Sequence, residues 1–416
     1  MTPAETAATF LVFMALVGWV NAKTAKVSQS VALVCAGALV AGLLFTAQYL
    51  IGPFWGFNSV RDEIARLDFP ETVLGYLLAF LLFSGGMQVD LGEFRRQSAA
   101  IWSLATMGVL VSTALIGFGA WGAAQLTGID LALPWALAFG ALISPTDPAA
   151  VMANVRSGEL SRPLGAVLQG ESLFNDGVGL VAFTAAVAFL TSGSAPGLVG
   201  TVVKILAQVG GGLALGLAGG WLVIRLMRSV GDYSVELTLT LATATGLYVL
   251  AQAIHVSGAI AAGSAGLLIG SYCAKDQPAS PSIPEFWHAV DDVLNGVLFL
   301  LLGLQIFIVP FQPGELGIWA AAIVLVIVAR LIVVLPWGAW FHVQQRERGA
   351  SILLAWGGLR GAISVALALA LPHGPQRDLV IDTTFAVVVF SVLVQGQTFG
   401  LIARRLRKDS GAAGVA

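Results

Sequence analysis

The residues that could do chemistry in this 416-residue chain gather at three places. The first is Gly170-Glu171-Ser172-Leu173-Phe174-Asn175-Asp176-Gly177, which puts two acids into an apolar stretch. On a helix, positions four apart share a face, so Ser172 and Asp176 point together and Glu171 pairs with Asn175 on the adjacent face. Glu171 and Asp176, five apart, diverge by about 140°. One face therefore offers a carboxylate and a hydroxyl, donors that suit a hard monovalent cation. The other offers a carboxylate that can meet a cation from another helix. The second place is Ser144-Pro145-Thr146-Asp147-Pro148. Proline removes a backbone donor and blocks helix continuation, which frees carbonyls beside Asp147. The third is Trp356-Gly357-Gly358-Leu359-Arg360-Gly361, where glycine permits unwound backbone. Asp147 and Asp176, the hydroxyls of Thr146 and Ser172, and the freed carbonyls make an oxygen-only site of the kind hard cations take.

The chemistry that follows is exchange. Burial and a neighbouring carboxylate both favour the protonated form of an acid. A cation such as Na⁺ and a proton then compete for the same oxygens. Loaded with either, the site is closer to neutral and crosses a hydrophobic barrier more cheaply than when empty. That asymmetry couples the two flows without a nucleotide. The phosphate-binding pattern G-x-x-x-x-G-K-[ST] is missing, so a nucleotide-driven pump is disfavoured and no cofactor is expected. Gly-x-Ser-x-Gly is missing too, and Ser172 has no histidine at a matching depth, so the chain does not read as an enzyme.

These residues must be positioned by membrane helices. Only 11% of the chain is charged and 57% is hydrophobic, with mean hydropathy +0.87. A soluble domain carries about 25% charge. Disorder, a collagen-like fibre and a disulfide scaffold are excluded by the same figures. The net charge of −2 leaves no basic footprint for nucleic acid. The 49 glycines fit helices that approach closely in lipid. Cys35 and Cys273 read as buried apolar residues rather than a framework. Thirteen spans are expected: 6–22, 29–49, 71–89, 97–124, 131–153, 163–191, 198–224, 235–254, 256–272, 290–310, 316–341, 350–371 and 380–403. Only His255 separates the eighth from the ninth, so twelve is the alternative. Residues 52–70 read as a short interfacial helix. No Lys or Arg precedes the apolar run Thr9 to Val20, so the first span is expected to be retained.

With thirteen spans, one side collects Lys23, Lys26, Arg95, Arg96, Arg156, Arg162, Arg225, Arg228, Lys275, Arg346, Arg348, Arg404, Arg405, Arg407 and Lys408. The other collects Arg61, Arg66 and Arg377. This bias places the C-terminus in the cytoplasm and the N-terminus outside. The two interrupted spans, fifth and twelfth, lie seven apart and so run in opposite directions. Residues 6–191 and 235–403 then form two inverted six-span units joined by a linker helix at 198–224. Interrupted segments at matching positions of two halves point to a transport site. Of the charges inside spans, Asp147 and Asp176 are assigned to the ion and proton. Glu171 and Arg360 read as a structural ion pair, Arg330 as a tie to helix ends or unwound carbonyls, and Lys204 as a snorkelling residue. His255, His288, His342 and His373 sit at span ends and read as non-ligands that could tune a pH response.

Ser-Pro-Thr-Asp-Pro-Ala-Ala-Val at 144–151, Gly-Glu-Ser-Leu-Phe-Asn-Asp-Gly at 170–177 and Trp-Gly-Gly-Leu-Arg-Gly-Ala-Ile at 356–363 resemble the bacterial sodium/proton antiporters of the first monovalent cation/proton antiporter group, NhaP-like relatives of the animal sodium/hydrogen exchangers. Leu82-Phe83-Ser84-Gly85-Gly86 and Ala329-Arg330-Leu331 fit as well. The resemblance implies thirteen spans and a homodimer in the cell (inner) membrane. A core of about 97–191 and 316–403 would move in an elevator-like way against dimerisation spans of about 6–89 and 235–310. It implies Asp176 as central carrier, with Asp147, Thr146 and Ser172 around Na⁺ (or Li⁺), and Glu171 with Arg360 as an ion pair. Asn175 preceding Asp176 implies electroneutral exchange, since relatives with Asp-Asp there tend to be electrogenic. Roles in pH homeostasis and sodium tolerance follow. Ser84 departs from the acid many relatives carry, which bears on affinity, selectivity and pH profile. K⁺/H⁺ exchange on the same fold is the rival reading; a passive cation channel is the alternative from another class.

Overall fold

The fold is described by a computed structural model covering residues 3–24, 27–51, 70, 73–148, 152, 160–192, 198–276, 282–305, 316–345, 347 and 349–412. The proposed interfacial helix at 52–70 lies outside these residues save its last. Every described element is a helix. In order they are α1 (Pro3–Lys23), α2 (Gln29–Ile51), α3 (Val73–Met87), α4 (Leu91–Arg96), α5 (Ser98–Thr127) and α6 (Leu133–Ile143). Then come α7 (Arg162–Ser192), α8 (Leu198–Val230), α9 (Tyr233–Ala253), α10 (Gly258–Asp276), α11 (Ser282–Leu304) and α12 (Leu316–Gln344). The chain closes with α13 (Ala350–Trp356), α14 (Ala362–Leu369) and α15 (Arg377–Leu406). Among the described residues, eight of these helices are long and apolar enough to cross a membrane: α2, α5, α7, α8, α9, α11, α12 and α15. Shorter apolar helices accompany them at Ala8–Lys23, Val73–Met87, Leu133–Ile143 and Gly258–Ala274.

α9 and α10 are separate helices. The chain turns at His255, which takes a left-handed φ of 58°. α11 starts at Ser282, eight residues before the edge drawn from hydropathy, so Asp291 and Asp292 lie near its middle rather than at a span end. In that first part Ile283 and Trp287 are buried, whereas Ser282 and Glu285 are exposed.

Apolar side chains point both ways. Leu39, Leu43, Trp221, Val249 and Leu335 are exposed, as helices facing hydrocarbon require. Attraction between such helices comes from close packing rather than from the hydrophobic effect. α3 and α10 show how: a side chain at Gly86 would meet the Gly263 carbonyl, and one at Gly266 would meet that of Phe83. Without side chains there, the two backbones touch. α10 also packs along α8, α5 along α6, and α11 along α2 and α3. Among the described residues, three helices contain a π-helical turn, at Val73–Leu77, Leu104–Gly108 and Ser391–Gln395.

Candidate functional site

α6 ends at Ile143 because Pro145 cannot continue the ladder. Ser144 closes the end locally, its hydroxyl donating to Gly140 O at 2.6 Å. The opposing interruption runs from Gly357 to Gly361, between α13 and α14. The two unwound segments meet as an isolated antiparallel bridge, Asp147 N–H donating to Leu359 O at 2.8 Å. Glycine is required at the crossing: a side chain at Gly361 would fall on the Asp147 carboxylate, and one at Gly358 on the Arg330 guanidinium.

α7 carries Glu171, Ser172, Asn175 and Asp176, all buried. Its docking onto the first break centres on Thr146. Ser172 Oγ donates to Thr146 O at 2.6 Å, and Asn175 Nδ2 donates to Thr146 Oγ1 at 2.7 Å. Gly179 leaves room for the Pro145 ring. Positions 172, 175 and 179 form one helical stripe. Asn175 therefore joins Thr146 rather than Glu171, because Glu171 is taken elsewhere.

The expected pairing of Glu171 with Arg360 is corrected. Glu171 makes a two-pronged ion pair with Arg330 of α12: Nη1 meets Oε1, and Nη2 meets Oε2 at 2.8 Å. Arg330 Nη2 also reaches Leu354 O at 3.2 Å. Arg360 instead donates through Nη1 to the carbonyls of Ser144 and of Pro145, the latter at 2.9 Å. Its own N–H donates to Ser391 Oγ at 2.8 Å. The exchange of roles has a physical cause. The broken end of α6 leaves carbonyls without intrahelical donors at the negative pole of that helix. A guanidinium in the facing break satisfies them. The free acid on α7 then needs the other arginine, and α12 brings it to the right level.

A cavity of about 680 Å³ lies beside this junction. Asp147, Pro148, Ser172 and Asp176 line one wall. Thr146 is not on the wall; it stands behind it and fixes Ser172 and Asn175. Asp147 and Asp176 are close enough to feel each other's charge. Among the described residues no group of three or more His, Cys, Asp or Glu side chains could hold a metal ion. The oxygens gathered on this wall include two carboxylates, Asp147 and Asp176, and the Ser172 hydroxyl. Lys204, His255, His342 and His373 are exposed and away from this wall. Sequence reasoning missed Asp291, Asp292, Asn295 and Gln88, which line the same cavity from α11 and the end of α3. The signal available was the polar spacing of His288, Asp291 and Asn295 ahead of the apolar run.

A helical membrane protein whose two interrupted helices meet beside buried acids falls in the class of broken-helix secondary transporters. The family described as "Sodium/hydrogen exchanger, transmembrane" matches residues 11–405, and the chain belongs to that family. The Na(+)/H(+) antiporter NhaP of Pseudomonas aeruginosa is 37% identical over 410 residues, 96% of each chain. The Na(+)/H(+) antiporter NhaH of Halobacillus dabanensis is 34% identical, over 92% of this chain and 93% of that one. The solved structure of the sodium proton antiporter MjNhaP1 from Methanocaldococcus jannaschii at pH 8 shares the fold, with a TM-score of 0.74 at 19% identity, covering 98% of this chain and 99% of that chain.

Proposed function

We propose that this chain is a secondary antiporter that exchanges Na⁺ or Li⁺ for H⁺ across the cytoplasmic membrane, one ion for one proton. The observation that carries the reading is the shared cavity wall: Asp147 and Asp176 with Ser172, at the point where two unwound segments meet. Cation and proton compete for these two carboxylates. The apolar surroundings make the empty, doubly charged site costly to move, while the loaded site crosses. Asn175 keeps the acid count at two and spends its amide on Thr146.

The proposal includes thirteen spans in two inverted units, 6–191 and 235–403, with 198–224 between them. The core spans 97–191 and 316–403 carry the ion past the spans 6–89 and 235–310, which also pair two copies in a homodimer. In support, the cavity lies between these two sets, with Asp147, Ser172, Asp176 and Ala362 on one wall and Leu78, Gln88, Asp291 and Asn295 on the other. It reaches the surface at Gln29 and Asp292. By the Lys/Arg bias that surface is cytoplasmic, so the conformation is inward-facing.

The test is purified protein in liposomes under an imposed pH gradient, with NaCl, LiCl and KCl added in turn. Collapse on Na⁺ and Li⁺ additions is the expected result. Collapse on K⁺ alone would assign the fold to K⁺/H⁺ exchange, and silence to all three would remove the antiport reading.

A further inference from the structure

The wall facing Asp147 and Asp176 is itself acidic, and the exchange chemistry above leaves it unused. Asp291 and Asp292 line it from α11. Asp292 is exposed at the rim, whereas Asp291 is half-buried. His288, Asp291 and Asn295 recur at spacings of three and four, one stripe of α11. Asp291 and Asn295 line the cavity, together with Gln88 from the end of α3.

Gln88 is oriented from both ends. Its Oε1 lies 3.1 Å from His288 Nδ1, and its Nε2 donates to Ser84 Oγ at 3.4 Å. Ser84, fully buried, donates in turn to Trp287 O at 2.8 Å. Asp291 is within hydrogen-bonding reach of Gln88 and Ser84 and close enough to interact with Asp147. A carboxylate beside Gln88 thus shares the cavity with the two acids and feels the charge of Asp147 and of its neighbour Asp292. A bare tie between α3 and α11 would not require a charge turned toward like charges, since facing carboxylates repel unless a cation or proton lies between them.

We infer that Asp291, held in place by Gln88, is the carboxylate that takes the monovalent cation from the cavity and passes it to Asp147 and Asp176, and so sets the apparent affinity for the ion. Gln88 acts through Asp291 and is a positioning residue. The inference rests on the antiport reading above.

The experiment is a Na⁺ titration of transport rate in proteoliposomes. Asp291→Asn raises the Na⁺ KM about tenfold, the size of one charge-assisted contact, and leaves Vmax within about twofold. Asp291→Glu restores most of the affinity. An unchanged KM in Asp291→Asn overturns the inference, and so does a loss of Vmax at constant KM, which would mark a structural tie. If Asp291→Asn does not fold, Gln88→Ala carries the test with every charge in place: a raised KM supports the inference and an unchanged one overturns it. Failure of the antiport reading is distinguishable, because the unsubstituted protein would then already be silent to all three cations.

Discussion

Asp176→Asn keeps the volume and polarity of a buried side chain and removes its charge. Transport should fall to the background of empty liposomes, read as the loss of gradient collapse on NaCl addition; full activity would take Asp176 out of the central role. Asn175→Asp adds a third acid beside Thr146, whose hydroxyl can donate where it now accepts. Ion distribution should then respond to an imposed membrane potential, whereas on the proposed one-for-one exchange that of the unsubstituted protein should not. Glu171 and Arg330 answer to a different measurement. Removing one partner strands a buried charge and costs about 3–5 kcal/mol. Arg330→Met should therefore lower the melting temperature sharply. The double variant Glu171→Gln/Arg330→Met should recover part of that loss, since contacting residues are not additive. Arg330→Lys is not conservative either, because an ammonium cannot match both carboxylate oxygens.

The two interruptions were legible in the sequence because their causes are local: Pro145 and Pro148 in one, three glycines in the other. Their mutual contact was not, since a single bond from Asp147 N to Leu359 O joins segments more than two hundred residues apart. The same distance explains the misassigned ion pair. Arg330 and Arg360 are both intramembrane arginines, and only the reach of Arg330 from α12 to Glu171 and the seating of the second break on the end of α6 decide between them. Asp291 was missed because a span starting at 290 makes it an edge residue, whereas α11 starts at Ser282 and places it near the middle of the helix. The crossing itself has a direct test. Gly361→Val forces methyl groups onto the Asp147 carboxylate. Transport should drop by about tenfold or more, since small displacements of reacting groups are costly, and the purified protein should remain folded by circular dichroism. Unchanged transport would mean that the close approach is dispensable.

For the whole molecule, the position of the cavity yields a sidedness prediction. Ser28 lies on its lining near the surface. A Ser28→Cys variant, with Cys35 and Cys273 replaced by alanine, should react with a membrane-impermeant thiol reagent from the side on which an Arg404→Cys variant reacts. Labelling from the opposite side alone would overturn the assignment of the cavity mouth to the side of the C-terminus. The bridge between the broken helices also has a thermodynamic consequence. Asp147 is stitched to the second break by its backbone, and Arg360 grips the carbonyls of the first. On the proposed antiport, this joint holds Asp147 in one place whichever solution the ion comes from, and no other source of energy enters the exchange. Such a device has no preferred direction of its own. It runs forward or backward as the two concentration ratios dictate, and it stops where they balance.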